Sequence, residues 1–202
     1  MIYPIYVIGH EVLRKEGEDL PIQKTEELDK LIEDMFETMK ASDGIGLAAP
    51  QIGKSLKLFV IDASPLADDE QPELADFKRV FINAKIVEYS GQKIKFNEGC
   101  LSLPNLREDI IRHDVLRIQY YDQNFVFHDE ILSAMPARII QHEYDHTYGI
   151  LFTDRLPKIK QTVMQNKLKA IADGHFNVDY KTILGNKKTR LQFLVRNINV
   201  NV

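Results

Sequence analysis

A chain of 202 residues with 44% hydrophobic and 28% charged residues has the balance of one globular domain with a sizeable core, which excludes a disordered or collagen-like polymer. Its net charge of −4 gives no whole-molecule attraction to nucleic acid, and its single cysteine, Cys100, excludes an intramolecular disulfide. No run approaches about eighteen apolar residues, and the opening MIYPIYVIGHEVLRKEGEDL has neither a secretory signal's basic start and apolar run nor a transit peptide's Arg/Ser-rich character, so the expected location is cytoplasmic.

Thr25 opens the clearest helix. Leu28, Leu31, Ile32, Met35, Phe36 and Met39 recur at spacings of three and four, which places them on one face and reads as core packing. Thr25 suits the N-cap, Glu26 and Glu27 suit the positive end of the helix dipole, and Ser42-Asp43-Gly44 ends the element. Gly44-Ile45-Gly46-Leu47-Ala48-Ala49-Pro50-Gln51-Ile52-Gly53 then opens like a dinucleotide-binding fingerprint. That fingerprint needs a strand before it and a helix after it, whereas here a helix precedes and Pro50 interrupts any helix begun at Gly44. Two readings remain: a plain turn, or a Gly-rich loop whose backbone approaches a peptide-like substrate while Gln51 offers its amide to a developing oxyanion.

Beyond it, β-branched and alternating runs predict strands over 56–61, 80–89, 93–97, 115–121 and 125–128, with Gly91 and Asp122-Gln123-Asn124 as turns. Residues 66–76, acidic and proline-bearing, read as a surface loop. Ser133 as N-cap, Pro136 in the first turn and Gly149 as the stop predict a deeply packed helix over 134–148. A third helix follows Leu156-Pro157 and ends before Gly174, carrying Lys158, Lys160, Lys167 and Lys169. From His175 the chain suggests a β-hairpin turning at Gly185-Asn186, with Ile198, Val200 and Val202 alternating with asparagine.

The strongest chemical signal is Gln141-His142-Glu143-Tyr144-Asp145-His146. Two histidines four apart on a helix are offset by about 40°, so both rings can converge on one cation, with Glu143 beside them to take a proton from an activated water. Two core histidines and a surface glutamate are the plainer reading, but an unpaired Glu143 in so apolar a helix is costly to bury. Catalytic sites of this kind use three protein ligands and keep one position open. Extension through Gly149 to a third histidine fails, because the residue six beyond His146 is Phe152. A distant carboxylate, another histidine or Cys100 is left. A lone cysteine is commonly a small buried hydrophobe. Yet Glu98-Gly99-Cys100-Leu101-Ser102-Leu103-Pro104 brings a β run to a Gly-flanked turn, and a thiolate with two imidazoles suits a borderline-soft divalent ion.

GIGLAAPQIG at 44–53, EGCLSLP at 98–104 and QHEYDH at 141–146, in this order and spacing, resemble the peptide deformylase family. The likeness covers roughly residues 1–175 as a single catalytic domain and carries nothing over to the tail, 176–202. It implies an α+β fold, with mainly antiparallel sheets around a central helix bearing the HExxH motif and a C-terminal helix. It implies Cys100, His142 and His146 as metal ligands, Glu143 as general acid/base, and the Gln51 side chain with the Leu101 backbone N–H as the oxyanion hole. Ile45 and Gly46 then line the path of the substrate backbone. The implied reaction removes the N-formyl group from the N-terminal formylmethionine of nascent polypeptides and releases formate. One divalent metal per chain is implied, Fe2+ by preference, though Zn2+, Ni2+ or Co2+ suits the same ligands. Methionine calls for an apolar pocket, for which Met135 and Ile139, on the helix turns before His142, are the candidates. Arg107 meets either the substrate backbone or solvent. The basic helix over 158–173 is either a solvated face or a transient ribosome contact. A metallopeptidase, a metal-binding module without turnover and a thiol hydrolase using Cys100 are the rival functions; Glu143 and Gln51 beside three ligands argue against the second.

Overall fold

The computed structural model describes residues 1–196. Helix α1 runs Glu26–Ala41, and the Thr25 hydroxyl accepts from the Leu28 amide as an N-cap should. Five strands form an antiparallel sheet: β2 (Gly46–Ala48), β3 (Leu58–Asp62), β4 (Lys78–Cys100), β5 (Leu103–Tyr121) and β6 (Phe127–Ser133), in spatial order β2-β3-β4-β5-β6. A second, two-stranded sheet pairs β1 (Ile5–Tyr6) in parallel with β7 (Thr182–Ile183). Helix α2 spans Ala134–Thr147 and α3 spans Lys158–Ala172. Among the described residues no helix is long and apolar enough to cross a membrane.

Strand alternation explains how two helices share the sheet. Leu58, Val60, Val80 and Ile82 face one way and pack with Leu28, Ile32, Met35 and Met39 of α1. Phe59, Ile61 and Phe81 face the other way and pack with Ala137, Ile139 and Ile140 of α2. A third cluster joins Leu103, Leu106 and Ile110 of β5 to Met164, Leu168 and Ile171 of α3. The motif helix is thus enclosed, as the α+β expectation of sheets around a central helix requires.

Three local expectations are corrected. Residues 80–89 and 93–97 belong to one strand, and Gly91, at φ +71°, sits in a bulge within β4 instead of a turn. The Asp114 carboxylate accepts from the Gln92 amide across that bulge, and a Cβ at Gly91 would meet Asp114 Oδ1 at 2.0 Å. β5 begins twelve residues before the predicted 115, because its first half, rich in charged residues, pairs along the twisted β4 instead of alternating cleanly. The tail does not form a hairpin in its described part. β7 pairs with β1, Gly185 lies against the Gly9 carbonyl, and a 3-10 turn follows at Arg190–Phe193 in place of a second arm. The alternation at Ile198, Val200 and Val202 lies outside the described residues.

Candidate active site

Three segments meet on the motif face of α2. The α2 backbone supplies His142, Glu143 and His146; β4 ends in a bulge at Gly99/Cys100 that carries Cys100; and β2 with the 3-10 turn Ala49–Ile52 supplies Gly46 and Gln51. One ligand atom each from Cys100, His142 and His146 lie within 4.8 Å of one another. Cys100 Sγ is 3.2 Å from His146 Nε2. His142 Nδ1 is 3.0 Å from Glu98 Oε2, which leaves its Nε2 for the site.

Behind these side chains stands a buried ionic frame. Arg112 grips Glu98 through Nε at 2.7 Å and Nη2 at 3.0 Å, Arg138 adds Nη1 at 3.0 Å, and Arg112 Nη1 reaches Asp145 Oδ2 at 2.7 Å. Arg155 closes the far side of Asp145. Burial works against a charged Glu98, but Arg112 and the His142 hydrogen bond outweigh it and hold the carboxyl well below the usual carboxylate range. Burial disfavours charge on both motif histidines. Cys100 and Glu98 nevertheless hold the His142 proton well above its ordinary value, whereas His142, Arg112 and Arg14 push His146 further down.

Glu143 is buried, and burial pushes its carboxyl up to about 7 against the pull of His142 and Arg112. Its Oε2 is buried without a hydrogen-bond partner. That orphaned oxygen, beside three converging soft and borderline donors, fits a site built for a divalent cation and a water at Glu143. The close approach of β2 also makes Gly46 necessary: a Cβ there would meet Glu143 Oε1 at 2.4 Å. Gln51 is fixed at both ends of its amide. Its Oε1 accepts from the Ala48 amide at 2.8 Å, which turns Nε2 towards Ser102 Oγ at 3.3 Å and Cys100 Sγ at 3.6 Å.

These groups open into a cleft of about 890 Å³. Ile45, Gly46, Gln51, Cys100, Leu101, Arg107, Met135, Ile139, His142 and Glu143 all line it, while His146 is buried. Arg107 lies over Gly99 at the rim, donating to Asn97 Oδ1 at 2.9 Å and to the Asn97 carbonyl at 2.8 Å. Sequence reasoning quoted Glu98 and Asp145 within motifs without giving them work, and missed Arg112, Arg138 and the rim residues 177–180. One signal was present: charged residues inside an apolar helix and a β run must find partners if they are buried.

A model described as polypeptide deformylase matches residues 2–162. The peptide deformylase of Christiangramia forsetii is 44% identical over 194 residues, spanning 93% of this chain and 98% of that one. That of Flavobacterium johnsoniae is 45% identical over 187 residues, spanning 90% and 95%. Among solved structures, the Thermotoga maritima peptide deformylase superposes with a TM-score of 0.69 at 36% identity, covering 78% of this chain and 99% of that one. The Legionella pneumophila structure gives 0.72 at 33%, covering 87% and 98%.

Proposed function

The chain belongs to the polypeptide deformylase family and is a metal-dependent hydrolase that removes the N-formyl group from the formylmethionine of nascent polypeptides; from that premise we propose which residues carry the reaction. Cys100, His142 and His146 hold the metal, and the observation that carries this reading is their convergence within 4.8 Å beside the unpartnered carboxyl oxygen of Glu143. A divalent cation held by these ligands supplies Lewis acidity next to the scissile amide.

Glu143 takes a proton from the attacking water and returns it to the leaving amine, a double role suited to a carboxyl whose burial raises it to about 7. Gln51 Nε2 and the Leu101 N–H face the oxygen on which charge develops, and the anchoring of the Gln51 amide by Ala48 spares reorganisation during the reaction. Ile45 and Gly46 line the substrate backbone at the β2 edge, and Met135 and Ile139, packed at the α2 side of the cleft, receive the methionine side chain. Arg107, already engaged with Asn97, presents its guanidinium at the rim to the peptide beyond the methionine.

Ferrous iron is the native ion in this reading, with zinc, nickel or cobalt as substitutes, because one thiolate and two imidazoles accept all four and supply decides between them. The enzyme works in the cytoplasm, where formylated chains emerge. The test is anaerobic purification with metal analysis, followed by assay on formyl-Met-Ala-Ser and on Met-Ala-Ser, with and without chelator. Formate release from the first peptide alone, abolished by chelation, is the expected result. Cleavage of internal bonds in the unformylated peptide would point to a metallopeptidase, and activity that survives chelation would point to Cys100 as a nucleophile.

A further inference from the structure

After α3 the chain stays on the molecule. Gly174, at φ +87°, turns it; Phe176 packs on the cluster shared by α3 and β5; and residues 177–180 run along the rim of the cleft. Asn105 Nδ2 donates to the Asn177 carbonyl at 3.2 Å. The Lys181 and Ile183 carbonyls then accept from the Ile5 and Val7 amides at 2.8 and 2.9 Å, which pins β7 to β1. Further along, Arg14 donates to the carbonyls of Phe193 and Leu194 at 2.8 and 2.7 Å.

This track delivers one side chain to the site. The Tyr180 hydroxyl donates to the Leu101 carbonyl at 2.9 Å. The next carbonyl, of Ser102, accepts from the Ile8 amide at 2.9 Å, and Ser102 Oγ lies 3.3 Å from Gln51 Nε2. Three anchors therefore hold the two-residue turn between Cys100 and Leu103, and the one on Leu101 comes from the tail.

Resting on the assignment of the Leu101 N–H as an oxyanion donor, we propose that Tyr180 is a positioning residue for deformylation, its hydroxyl fixing the Leu101 carbonyl while residues 177–180 form one wall of the cleft. A donor aids catalysis only if its direction is set before charge develops, and a two-residue turn carries enough torsional freedom to lose that direction. The Leu101 carbonyl and N–H lie in adjacent peptide planes hinged at one Cα, so a fixed carbonyl anchors the plane beside the one that carries the donor and restricts the motion of the turn as a whole. The catalytic unit then extends past residue 175. The match to the family model ends at residue 162, so Tyr180 lies outside it.

The test uses zinc-loaded full-length protein, comparing wild type with Tyr180→Phe and Tyr180→Ala. Loss of the hydroxyl alone removes one neutral hydrogen bond. In Tyr180→Phe, kcat on formyl-Met-Ala-Ser should fall about three- to tenfold with KM within about twofold, while melting temperature should drop by no more than about 2–4 °C and zinc content should stay unchanged. The amide 1H–15N resonances of Leu101 and Ser102 should move. Tyr180→Ala, which also removes the wall, should raise KM as well. Wild-type kcat in Tyr180→Phe together with unmoved Leu101 and Ser102 resonances would overturn the inference. A loss confined to KM would overturn it too. Failure of the wild type to deformylate would instead sink the reaction assignment, and the two resonances would still decide whether Tyr180 holds the turn.

Discussion

In α2, three of the proposed site residues come from the five consecutive residues 142–146, and the helical repeat alone brings both histidines to one side. In the β4–β5 ribbon, Glu98 and Cys100 lie at the end of one long strand, and Arg112 returns from the next to grip Glu98 at 2.7 Å. In the proposed assignment the helix supplies two ligands and the proton carrier, while the ribbon supplies the third ligand and the frame that orients His142. The difference teaches that local geometry suffices to place chemistry, whereas charge fixation needs partners brought together by tertiary pairing. Damage should accordingly take different forms in the two regions. At Glu143 of the helix it should strike turnover alone, and at Glu98 of the ribbon it should strike metal retention and stability.

The largest effect on turnover should come from the helix. Glu143→Gln keeps the shape but removes the proposed proton carrier, so kcat should fall by at least about a hundredfold, while close to one metal per chain is retained. Loss of the metal along with activity would make Glu143 a ligand and erase the contrast.

Glu98→Gln probes the ribbon. It leaves Arg138 facing a neutral amide and Arg112 with Asp145 as its remaining carboxylate, and it weakens the acceptor that orients His142 through Nδ1. Breaking a buried ionic group of this kind costs about 3–5 kcal/mol, and removal of the group that orients a metal-binding histidine costs about ten- to a hundredfold in affinity. Chelator competition and denaturant melts should show both. The pH dependence fixes the sign. Glu98 is depressed in the fold, so its contribution is fully present above the unfolded value of about 4.3 and is lost as pH falls below it. The stability gap between wild type and variant should therefore be constant from neutral pH down to about 5 and shrink in stronger acid. A gap that persists undiminished well below pH 4 would mean that lost packing, not lost charge, separates the two.

How much of this was legible follows from the same division. The caps at Thr25 and Gly149, the α1 stripe and the two histidines four apart are local patterns, and each appears where the sequence placed it. Cys100 could be offered as a ligand only alongside other candidates, because its convergence on His146 spans 46 residues and depends on where β4 ends. The Arg112–Asp145 and Arg138–Glu98 pairs span 33 and 40 residues and have no local signature. Gly91 looked like a turn because a bulge and a turn ask for the same φ > 0 residue. The parallel pairing of β7 with β1 joins the two ends of the described chain through strands of only two residues, too short for any periodicity to register.

Gly46→Ala sharpens the contrast where strand and helix touch. The added Cβ must displace the Glu143 carboxylate, which it would otherwise meet at 2.4 Å, while its own strand pairing to Ile61 is unaffected. Turnover should drop about tenfold through the misplaced carboxyl, with an overpacking cost of about 1–3 kcal/mol and metal content unchanged. A crystal structure of the variant with Glu143 unmoved would show that the approach is looser than it looks.

The smallest effect on chemistry belongs to α3, which packs on β5 through Met164, Leu168 and Ile171 and turns its other side to solvent. Ile159 and Val163 on that side are 81% and 77% exposed, and Lys158, Lys160, Lys167 and Lys169 lie along the same helix. Lys160 is 3.5 Å from Glu108, a contact between exposed groups that leaves its charge largely available. Since the substrates are nascent chains, this helix is a proposed contact with the RNA-rich ribosome surface. Lys160 and Lys167, seven residues apart, project on one side of the helix, so reversing both should remove contacts that act together. Lys160→Glu with Lys167→Glu should weaken co-sedimentation with ribosomes and flatten its salt dependence by about one unit of slope per lost phosphate contact. The site lies on α2 and the strands, so kcat/KM on formyl-Met-Ala-Ser should stay within about twofold of wild type. Co-sedimentation unchanged at low salt would return α3 to a plain solvated face, and a fall in peptide activity would mean that the helix supports the cleft rather than a partner.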